Sequence, residues 1–365
     1  MPPSVWIEIH RAHLAHNLRA VREWVGPAVR VMAVVKANAY GHGAVLAART
    51  FVENGAAALG VTLLEEASEL RAAGLEAPLL MFASPLPEQA AEVVRLRLTA
   101  TLTRREVATA LHAAAQAQGT RVKVHVLVDT GLGREGVLPA GVPGFLKFLA
   151  GLEGLEVEGV YTHFATAFAP QRRYLREQWQ KFQAVLSALP YPVPLRHACA
   201  SAALLVLPEA HLEMVRVGTL LYGQYPSPHL PRPLALRPAW TLKTRIIDLR
   251  WLPPGSRLGY GSEYVTRRRT LVATLPVGYA HGLSLAPASL YTRPRALVKT
   301  LWQRVKGKGE TVLVRGRAAP LVGRISMQMC TADVTDVPEV QVGDEVTVPA
   351  RFVTASPTIP RLPVD

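Results

Sequence analysis

Cysteine, acidic residues and long apolar runs are all scarce in this sequence. Among 365 residues, the only cysteines are Cys199 and Cys330, too few for a disulfide framework or a cysteine-ligated metal site. No apolar run approaches the length of a membrane span, and Met1–Ser4 leads directly into the strand-like Val5–Ile9 with no signal peptide. We therefore expect a reduced, cytoplasmic protein that holds no metal and has no membrane partner.

The composition is that of a folded protein with an excess of positive charge. Hydrophobic residues make up 49% and charged residues 19% of the chain, which excludes disorder, and the length favours two domains. The formal net charge of +14 comes mostly from scattered arginines. Only Arg267–Arg269 and Lys306–Lys308 cluster, without the aromatic residues of a nucleic-acid platform. We expect no nucleic-acid partner, and an anionic cofactor and substrate explain part of the charge.

Short apolar runs alternate with helix-like segments in the first part of the chain. After Val5–Ile9, the segment His10–Trp24 has apolar residues at helical spacing. Eight apolar runs follow, at residues 31–37, 58–62, 79–84, 98–102, 121–128, 156–163, 195–202 and 213–217. Segments rich in Ala, Leu, Glu and Arg separate most of them. This alternation predicts a (β/α)8 barrel.

The character of the sequence changes after about Gln224. Five prolines between residues 226 and 238 indicate a linker. Strand-like runs then occur at residues 240–251, 269–274, 296–302, 311–315, 328–334 and 345–348, which predicts a mostly antiparallel β domain. We expect the barrel at residues 11–225 and a C-terminal β domain at residues 235–365, and we expect the N-terminal strand at residues 1–10 to join the β domain.

Lys36 closes the β-branched run Val31–Val35, which is typical of a strand buried on both faces of a parallel sheet. A turn follows, in which Gly41 and Gly43 allow close backbone approach, and a helix is predicted from Ala44 to Phe51. A desolvated lysine has a lowered pKa, and its neutral amine can form a Schiff base with an aldehyde. Lys36 is therefore a candidate for covalent chemistry at a strand end.

Other chemically capable residues also stand at predicted strand ends, where barrel enzymes carry their functional groups. In chain order these residues are Lys36, Arg134, His163, Ser201, Arg216 and Gly218. The ends of five strands should therefore bring a lysine, two arginines, a histidine and a hydroxyl to one barrel mouth.

The decapeptide Val34–Gly43 resembles the pyridoxal 5'-phosphate (PLP) attachment motif of the alanine racemase family. Further segments are similar to that family in the family's order, namely Asp129–Gly136, Thr162–Ala165, His197–Ala203, Met214–Gly223, Leu258–Gly261, Pro276–Ala280 and Val322–Met327. The resemblance covers nearly the whole chain. It implies PLP as the cofactor and a homodimer with shared active sites.

The resemblance also implies the catalytic roles. Lys36 would hold PLP as a Schiff base and act as one base, and Tyr260 of the partner subunit would be the second base, on the opposite face of the substrate. Arg216 would face the pyridine nitrogen. An arginine does not readily give up a proton, so the nitrogen would stay unprotonated and transamination would be disfavoured. His163 would link this arginine to the catalytic tyrosine.

The same resemblance assigns the binding roles. Hydroxyl and backbone groups on the cofactor phosphate would come from Tyr40, Ser201 and Gly218. Arg134 and the backbone of Met327 would bind the substrate carboxylate, and Tyr279 would line the substrate entrance.

Five positions depart from the family pattern. Leu127 replaces a lysine that steadies the substrate-binding arginine in many members. The other four are Ala200 for an asparagine, His281 and Gln328 for aspartates, and Phe168 for an acidic residue. The C-terminus is also short, with Pro357 at the position of a phosphate-binding tyrosine in some members. We expect the cofactor-binding residues to be retained and their surroundings to differ.

The predicted function is alanine racemisation, which interconverts L- and D-alanine and supplies D-alanine for peptidoglycan. Two alternatives stay open, a broad-specificity amino-acid racemase and a non-catalytic PLP-binding protein. The second is disfavoured because such single-barrel proteins generally lack a second domain, whereas this chain has one that carries Tyr260 and Met327. Related barrel decarboxylases are disfavoured because they favour a carboxylate where this chain has Arg216.

Overall fold

The computed structural model describes residues 3–284, 310–350, 352 and 355–365. The chain packs as two compact units. The β unit contains Met1–His10 and Trp240–Asp365, and the barrel unit contains Arg11–Ala239. Strand β1, Val5–His10, opens the chain and belongs to the β unit. The proline-containing segment 226–238 lies within the barrel unit, although the sequence predicts a linker there.

Eight parallel strands form the sheet of the barrel unit. They are β2 Arg30–Val34, β3 Ala58–Val61, β4 Leu79–Met81, β5 Thr99–Leu102, β6 Val122–Val128, β7 Leu155–Thr162, β8 Leu195–His197 and β9 Met214–Val217. Strand β2 pairs with both β3 and β9. Between β8 and β9 the N–H of Arg216 donates to the carbonyl of Cys199 at 2.9 Å, which nearly closes the sheet. The predicted (β/α)8 barrel is confirmed, and each strand overlaps one predicted apolar run.

Helices precede the first barrel strand and lie between the strands that follow. They are α1 Arg11–Val25, α2 Lys36–Gly41, α3 Ala44–Glu53, α4 Leu64–Ala72, α5 Ala90–Arg95, α6 Arg105–Ala117, α7 Val142–Ala150, α8 Arg173–Ser187 and α9 Ser201–Val206. Within α2 the backbone of residues 37–40 is left-handed. Helix α6 shows why such segments pack on a sheet, because Val107, Leu111 and Ala115 are spaced to form one buried face. In the described part of the chain, no helix combines the length and apolarity needed to cross a membrane.

The β unit contains one large sheet and a small hairpin. Its strands are β10 Trp240–Arg245, β11 Asp248–Leu252, β12 Arg257–Leu258, β13 Tyr264–Val265, β14 Thr270–Leu275, β15 Thr311–Val314, β16 Arg317–Val322, β17 Cys330–Asp333, β18 Glu345–Val348 and β19 Arg361–Val364. The order in the large sheet is β11-β14-β17-β16-β15-β18-β10-β1-β19. Among the described strand pairs of this large sheet, only β1 with β19 is parallel. The predicted, mostly antiparallel β domain is confirmed.

Two strands of this sheet, β16 and β19, were not predicted from the sequence. Strand β16 follows a two-residue turn in which Arg315 and Gly316 both have positive φ, the geometry of a tight hairpin. Pro320 within β16 obscures the strand pattern, because proline is usually excluded from strand interiors. The strand predicted at residues 296–302 lies outside the described residues.

Candidate active site

Lys36 lies two residues beyond the end of β2. The strand fixes its position at the barrel mouth because Val31–Val34 are buried in the sheet. Burial lowers the pKa of Lys36, and the positive charge of Arg134 lowers it further, whereas Glu66 raises it. Since desolvation disfavours the ammonium form, Lys36 has a larger neutral fraction than an exposed lysine.

The segment after Lys36 is a left-handed turn. Each residue from Ala37 to Tyr40 has φ between 52° and 54°, a conformation that costs non-glycine residues about 1–2 kcal/mol each. The sequence predicts a turn that relies on Gly41 and Gly43. That prediction is incomplete, because the left-handed backbone already begins at Ala37.

Two side chains hold this turn in place. The N–H of Ala37 donates to Glu66 Oε1 at 2.6 Å, and the N–H of Thr62 donates to the other carboxylate oxygen at 2.7 Å. The N–H of Ala44 donates to Asn38 Oδ1 at 2.7 Å, which ties the turn to α3. These bonds offset part of the backbone strain. Glu66 was not predicted as a site residue, and its only sequence signal is an acidic position in the first turn of α4.

Tyr40, Ser201 and Gly218 meet at one side of the barrel mouth, which we call the donor corner. The N–H of Gly218 donates to Ser201 Oγ at 3.1 Å. A Cβ at residue 218 would lie 2.8 Å from Tyr40 Cζ, so this close approach requires glycine. Burial raises the pKa of Tyr40 to about 12, which keeps its hydroxyl protonated. Hydroxyl groups beside an unobstructed backbone suit a phosphate.

Arg216 is buried in the barrel and held from several sides. Its Nη1 donates to His197 Nδ1 at 2.8 Å. Its Nη2 donates to the carbonyls of Thr162 at 2.7 Å and Ala198 at 3.1 Å, and the guanidinium lies 5.0 Å from the ring centre of Tyr161. Burial lowers the pKa of Arg216 to about 10. The guanidinium therefore stays protonated at neutral pH.

Two histidines accompany Arg216. His163 Nδ1 lies 3.3 Å from Arg216 Nη2. Burial and three neighbouring cations lower the pKa of His163 to about 3, so its imidazole is neutral and can accept a hydrogen bond. His197 belongs to a motif recognised in the sequence but was not predicted as a site residue. Its position at the carboxyl end of the barrel strand β8 was the available signal.

One cavity of about 630 Å³ joins these groups. Its lining contains every site residue predicted in the barrel unit, namely Lys36, Tyr40, Arg134, His163, Ser201, Arg216 and Gly218. It also contains residues that were not predicted from the sequence, including Thr62, Glu135 and Tyr161. The volume lies within the usual range for cofactor and ligand sites.

Arg134 reaches this cavity from an exposed loop after β6. The loop is shaped by Asp129 Oδ1, which accepts the N–H groups of Gly131 and Leu132 at 2.9 Å each. Leu127 is buried in β6 and offers no polar group. Within the described ranges, Arg134 forms no hydrogen bond or salt bridge with a side chain, so its guanidinium is available to an anion.

The remaining predicted site residues lie on exposed loops of the β unit. Tyr260 is 71%, Tyr279 is 43% and Met327 is 57% exposed. Tyr260 follows Gly259, where a Cβ would lie 2.8 Å from the backbone nitrogen of Arg324. The loop that carries Tyr260 therefore lies beside the loop that leads to Met327.

The same loop also contacts Tyr279. The N–H of Tyr279 donates to the carbonyl of Ser326 at 3.1 Å, and a Cβ at Gly278 would lie 2.6 Å from the carbonyl oxygen of Met327. His281 Nδ1 accepts the N–H of Gly278 at 3.2 Å, so this departure from the family pattern closes the turn. The three exposed side chains thus belong to one surface of the β unit.

A lysine with a lowered pKa, a buried arginine and a donor corner at the mouth of a parallel barrel define an enzyme of the (β/α)8 class. Residues 9–226 match the sequence profile of the alanine racemase N-terminal domain, and residues 239–359 match that of the alanine racemase C-terminal domain. The chain belongs to the alanine racemase family.

The chain is also similar in sequence and structure to individual alanine racemases. The alanine racemase of Desulfovibrio desulfuricans is 42% identical over 345 residues, which cover 94% of this chain and 88% of that protein. The solved structure of alanine racemase from Clostridium difficile 630 has a TM-score of 0.88 and 28% identity, and the match covers 100% of this chain and 96% of that chain. Its complex with cycloserine has a TM-score of 0.86 and 27% identity, with the same coverage. The chain is therefore an isomerase that interconverts L-alanine and D-alanine, and the predicted alanine racemisation is confirmed.

Proposed function

We propose that this chain racemises alanine with two bases, Lys36 and Tyr260 of the partner subunit, and with PLP held on Lys36. The observation that carries the proposal is the convergence of Lys36, Arg216 and the donor corner on one cavity. Racemisation needs bases on opposite faces of the substrate, because one removes the α-proton and the other returns a proton to the far side.

The residues of the cavity fit PLP. The donor corner presents two hydroxyl groups beside a glycine backbone whose missing Cβ leaves room, as a phosphate requires. The lowered pKa of the Lys36 amine, caused mainly by burial, favours the neutral form that bonds to an aldehyde carbon. When bound, PLP would supply an electron sink for the charge left by removal of the α-proton.

Arg216 confines proton transfer to the two bases. With a pKa of about 10, it stays charged at neutral pH and donates hydrogen bonds without giving up a proton. Against the ring nitrogen of PLP it would leave that nitrogen unprotonated, which disfavours transamination. Lys36 and Tyr260 then remain as the groups that exchange protons with the substrate.

Arg134 would bind the substrate carboxylate. Its guanidinium lines the cavity and has the planar fork that matches a carboxylate. The backbone of Met327 would assist it, and Tyr279 would restrict the entrance to small side chains. A small amino acid is therefore the proposed substrate class, and the alternative is a racemase that accepts larger amino acids as well.

A second copy of the chain would supply Tyr260. Tyr260, Tyr279, Met327 and Met329 are all exposed, and clustered exposed aromatic and methionine side chains are typical of interfaces. A homodimer with two shared active sites would cover them.

The proposed location of the protein is the cytoplasm, and its proposed cellular role is to supply D-alanine for peptidoglycan. Cys199 and Cys330 are both free thiols, which a reducing compartment preserves. No peptidoglycan step beyond this supply is implied by the site.

Complementation between inactive variants tests the shared site. Lys36→Ala and Tyr260→Phe homodimers should each lack activity. In their heterodimer one site carries both substitutions and the other carries neither, so about half of the wild-type activity per dimer should return. D-alanine formation from L-alanine with added PLP, in heterodimers isolated by two affinity tags, measures this.

The matched control is a heterodimer of Lys36→Ala with Lys36→Met, in which both sites lack the lysine and no activity should return. An absence of recovery in verified Lys36→Ala and Tyr260→Phe heterodimers would contradict the cross-subunit role of Tyr260.

A further inference from the structure

A chain of hydrogen bonds runs from Arg216 through the barrel interior to Glu158 on β7. Arg216 Nη1 lies 2.8 Å from His197 Nδ1, and His197 Nε2 lies 2.9 Å from His125 Nδ1. His125 Nε2 lies 3.1 Å from Glu158 Oε2. Arg216 and both histidines are buried, whereas the Glu158 side chain is 21% exposed. The chain therefore joins the cavity to the outer part of the barrel.

The direction of these bonds is determined by their two ends. A guanidinium has only donors, and an ionised carboxylate has only acceptors. His197 must therefore accept at Nδ1 and donate from Nε2, and His125 must do the same. Burial lowers the pKa of both histidines, and the hydrogen bond from His125 lowers the pKa of Glu158 to about 2. Neutral imidazoles between a cation and an anion agree with this single arrangement.

The backbone of β7 leaves space for the contact between His125 and Glu158. Strands β6 and β7 are in register up to Val124 opposite Val157, and His125 then lies opposite Gly159. Glu158 is thus the extra residue of a β-bulge, a feature that redirects a side chain. A Cβ at Gly159 would lie 2.7 Å from His125 Cγ, so glycine makes the space that the imidazole occupies.

The far end of the chain is also held. Lys123 Nζ donates to Glu158 Oε1 at 2.6 Å, which leaves Oε2 to accept from His125. In the described residues Arg216 has no salt bridge to a carboxylate, so Glu158 is the anion to which hydrogen bonds connect it.

We propose that Glu158 is a positioning residue for racemisation, which fixes the hydrogen-bond direction at Arg216 through His125 and His197. The consequence for the cofactor rests on the proposed function, because it assumes that Arg216 faces the ring nitrogen of PLP. The hydrogen-bond chain itself is a property of the protein alone.

Glu158→Gln removes the carboxylate, which can only accept hydrogen bonds and therefore sets their direction along the chain from Arg216. A glutamine amide can donate to His125 Nε2, which moves the imidazole proton to Nδ1 and reverses the next bond. The reversed chain would place an N–H of His197 against an N–H of Arg216. The guanidinium would then lose a partner and shift within the cavity.

Two measurements test the proposal. In the protein labelled with 15N-histidine, long-range NMR correlations should show both His125 and His197 protonated at Nε2 only, and Glu158→Gln should remove this pattern. The same substitution should lower kcat in both directions about 10-fold, as typical for groups that orient an active-site residue, with KM for alanine changed less than about 2-fold.

Two further variants complete the test, one as a control that should have no effect and one that should reproduce the effect of Glu158→Gln. Glu156→Gln changes an exposed carboxylate of the same strand and should leave both the tautomers and kcat at wild-type values. Gly159→Ala displaces the His125 ring without changing any hydrogen-bonding group, and it should reproduce both effects of Glu158→Gln.

An Nδ1 proton on either histidine of the wild-type protein would overturn the proposal, as would an unchanged kcat in Glu158→Gln. The NMR result does not need cofactor or turnover. A protein with both Nε2 protons but without PLP-dependent activity would refute the proposed function and support the hydrogen-bond chain, so the two failures are distinguishable.

Discussion

Glu66 Oε1 accepts the backbone N–H of Ala37 at 2.6 Å, and this bond joins α4 to the left-handed turn that follows Lys36. The other carboxylate oxygen accepts the N–H groups of Thr62 and Leu63 at 2.7 and 3.1 Å. Glu66 also raises the pKa of Lys36 against the lowering effects of burial and Arg134. One carboxylate therefore acts on both the geometry and the charge of the lysine.

Glu66→Gln should destabilise the protein. It keeps the size of the side chain but removes the charge from three hydrogen bonds. Since bonds to charged groups contribute about 1.5–3 kcal/mol, we expect the free energy of unfolding to fall by about 1–2 kcal/mol. Urea denaturation measures this change. Glu65→Gln, at an exposed neighbouring position, should change stability by less than about 0.5 kcal/mol, and equal effects would contradict the special role of Glu66.

The pKa of Lys36 should move in opposite directions in two variants. The wild-type value should lie below the ordinary lysine pKa of 10.5. Arg134→Gln removes a cation that disfavours the ammonium and should raise the pKa, whereas Glu66→Gln removes an anion that favours it and should lower the pKa. NMR titration of 13C-labelled lysine in the PLP-free protein follows the midpoint, above which the amine is neutral and reactive. Shifts of the same sign in both variants would refute this electrostatic account.

Gly218→Ala should weaken PLP binding. The new Cβ would lie 2.8 Å from Tyr40 Cζ, so the ring or the backbone of the donor corner must move. We expect the Kd for PLP, measured by absorbance titration, to rise at least about 10-fold, since 1.4 kcal/mol of strain suffices for that change.

Gly144→Ala is the matched control for this substitution. Gly144 lies in α7 with no atom within 4 Å of an added Cβ, so alanine there should leave the Kd unchanged and slightly stabilise the helix. A similar loss of affinity in both variants would argue against the donor corner as the phosphate site.

The barrel was predictable because its strands are marked by local composition. The apolar residues of β2 are buried on both faces, and a run of this kind has few other interpretations. The β unit was less predictable, because β16 combines Pro320 with exposed positions and depends on its partners for its conformation. β-strand formation of this type is decided by non-local pairing, which a local pattern does not contain.

The candidate site also contains residues that were predictable from local sequence and residues that were not. The positions of residues at strand ends, such as Lys36 and Arg216, could be predicted from the alternation of apolar runs and helix-like segments alone. The left-handed backbone at Ala37 could not, because alanine has no preference for it and a carboxylate 29 positions away in sequence holds it. Glu158 and His125 were missed because a bulge, invisible in composition, sets their contact. The catalytic and binding roles remain predictions.

Arg134→Lys should raise KM for alanine more than it lowers kcat. Arg134 lines the cavity without a supporting hydrogen bond in the described part of the chain, and Leu127 gives it none, so its orientation depends on the bound carboxylate. Lysine keeps the charge, and with it the effect on Lys36, but loses the planar fork that binds a carboxylate through two bonds. We expect KM to rise about 10-fold in steady-state assays in both directions, equivalent to about 1.4 kcal/mol of binding energy. Arg173→Lys, at an exposed position of α8, should leave KM unchanged. A fall in kcat with constant KM would move Arg134 from substrate binding to the chemical step.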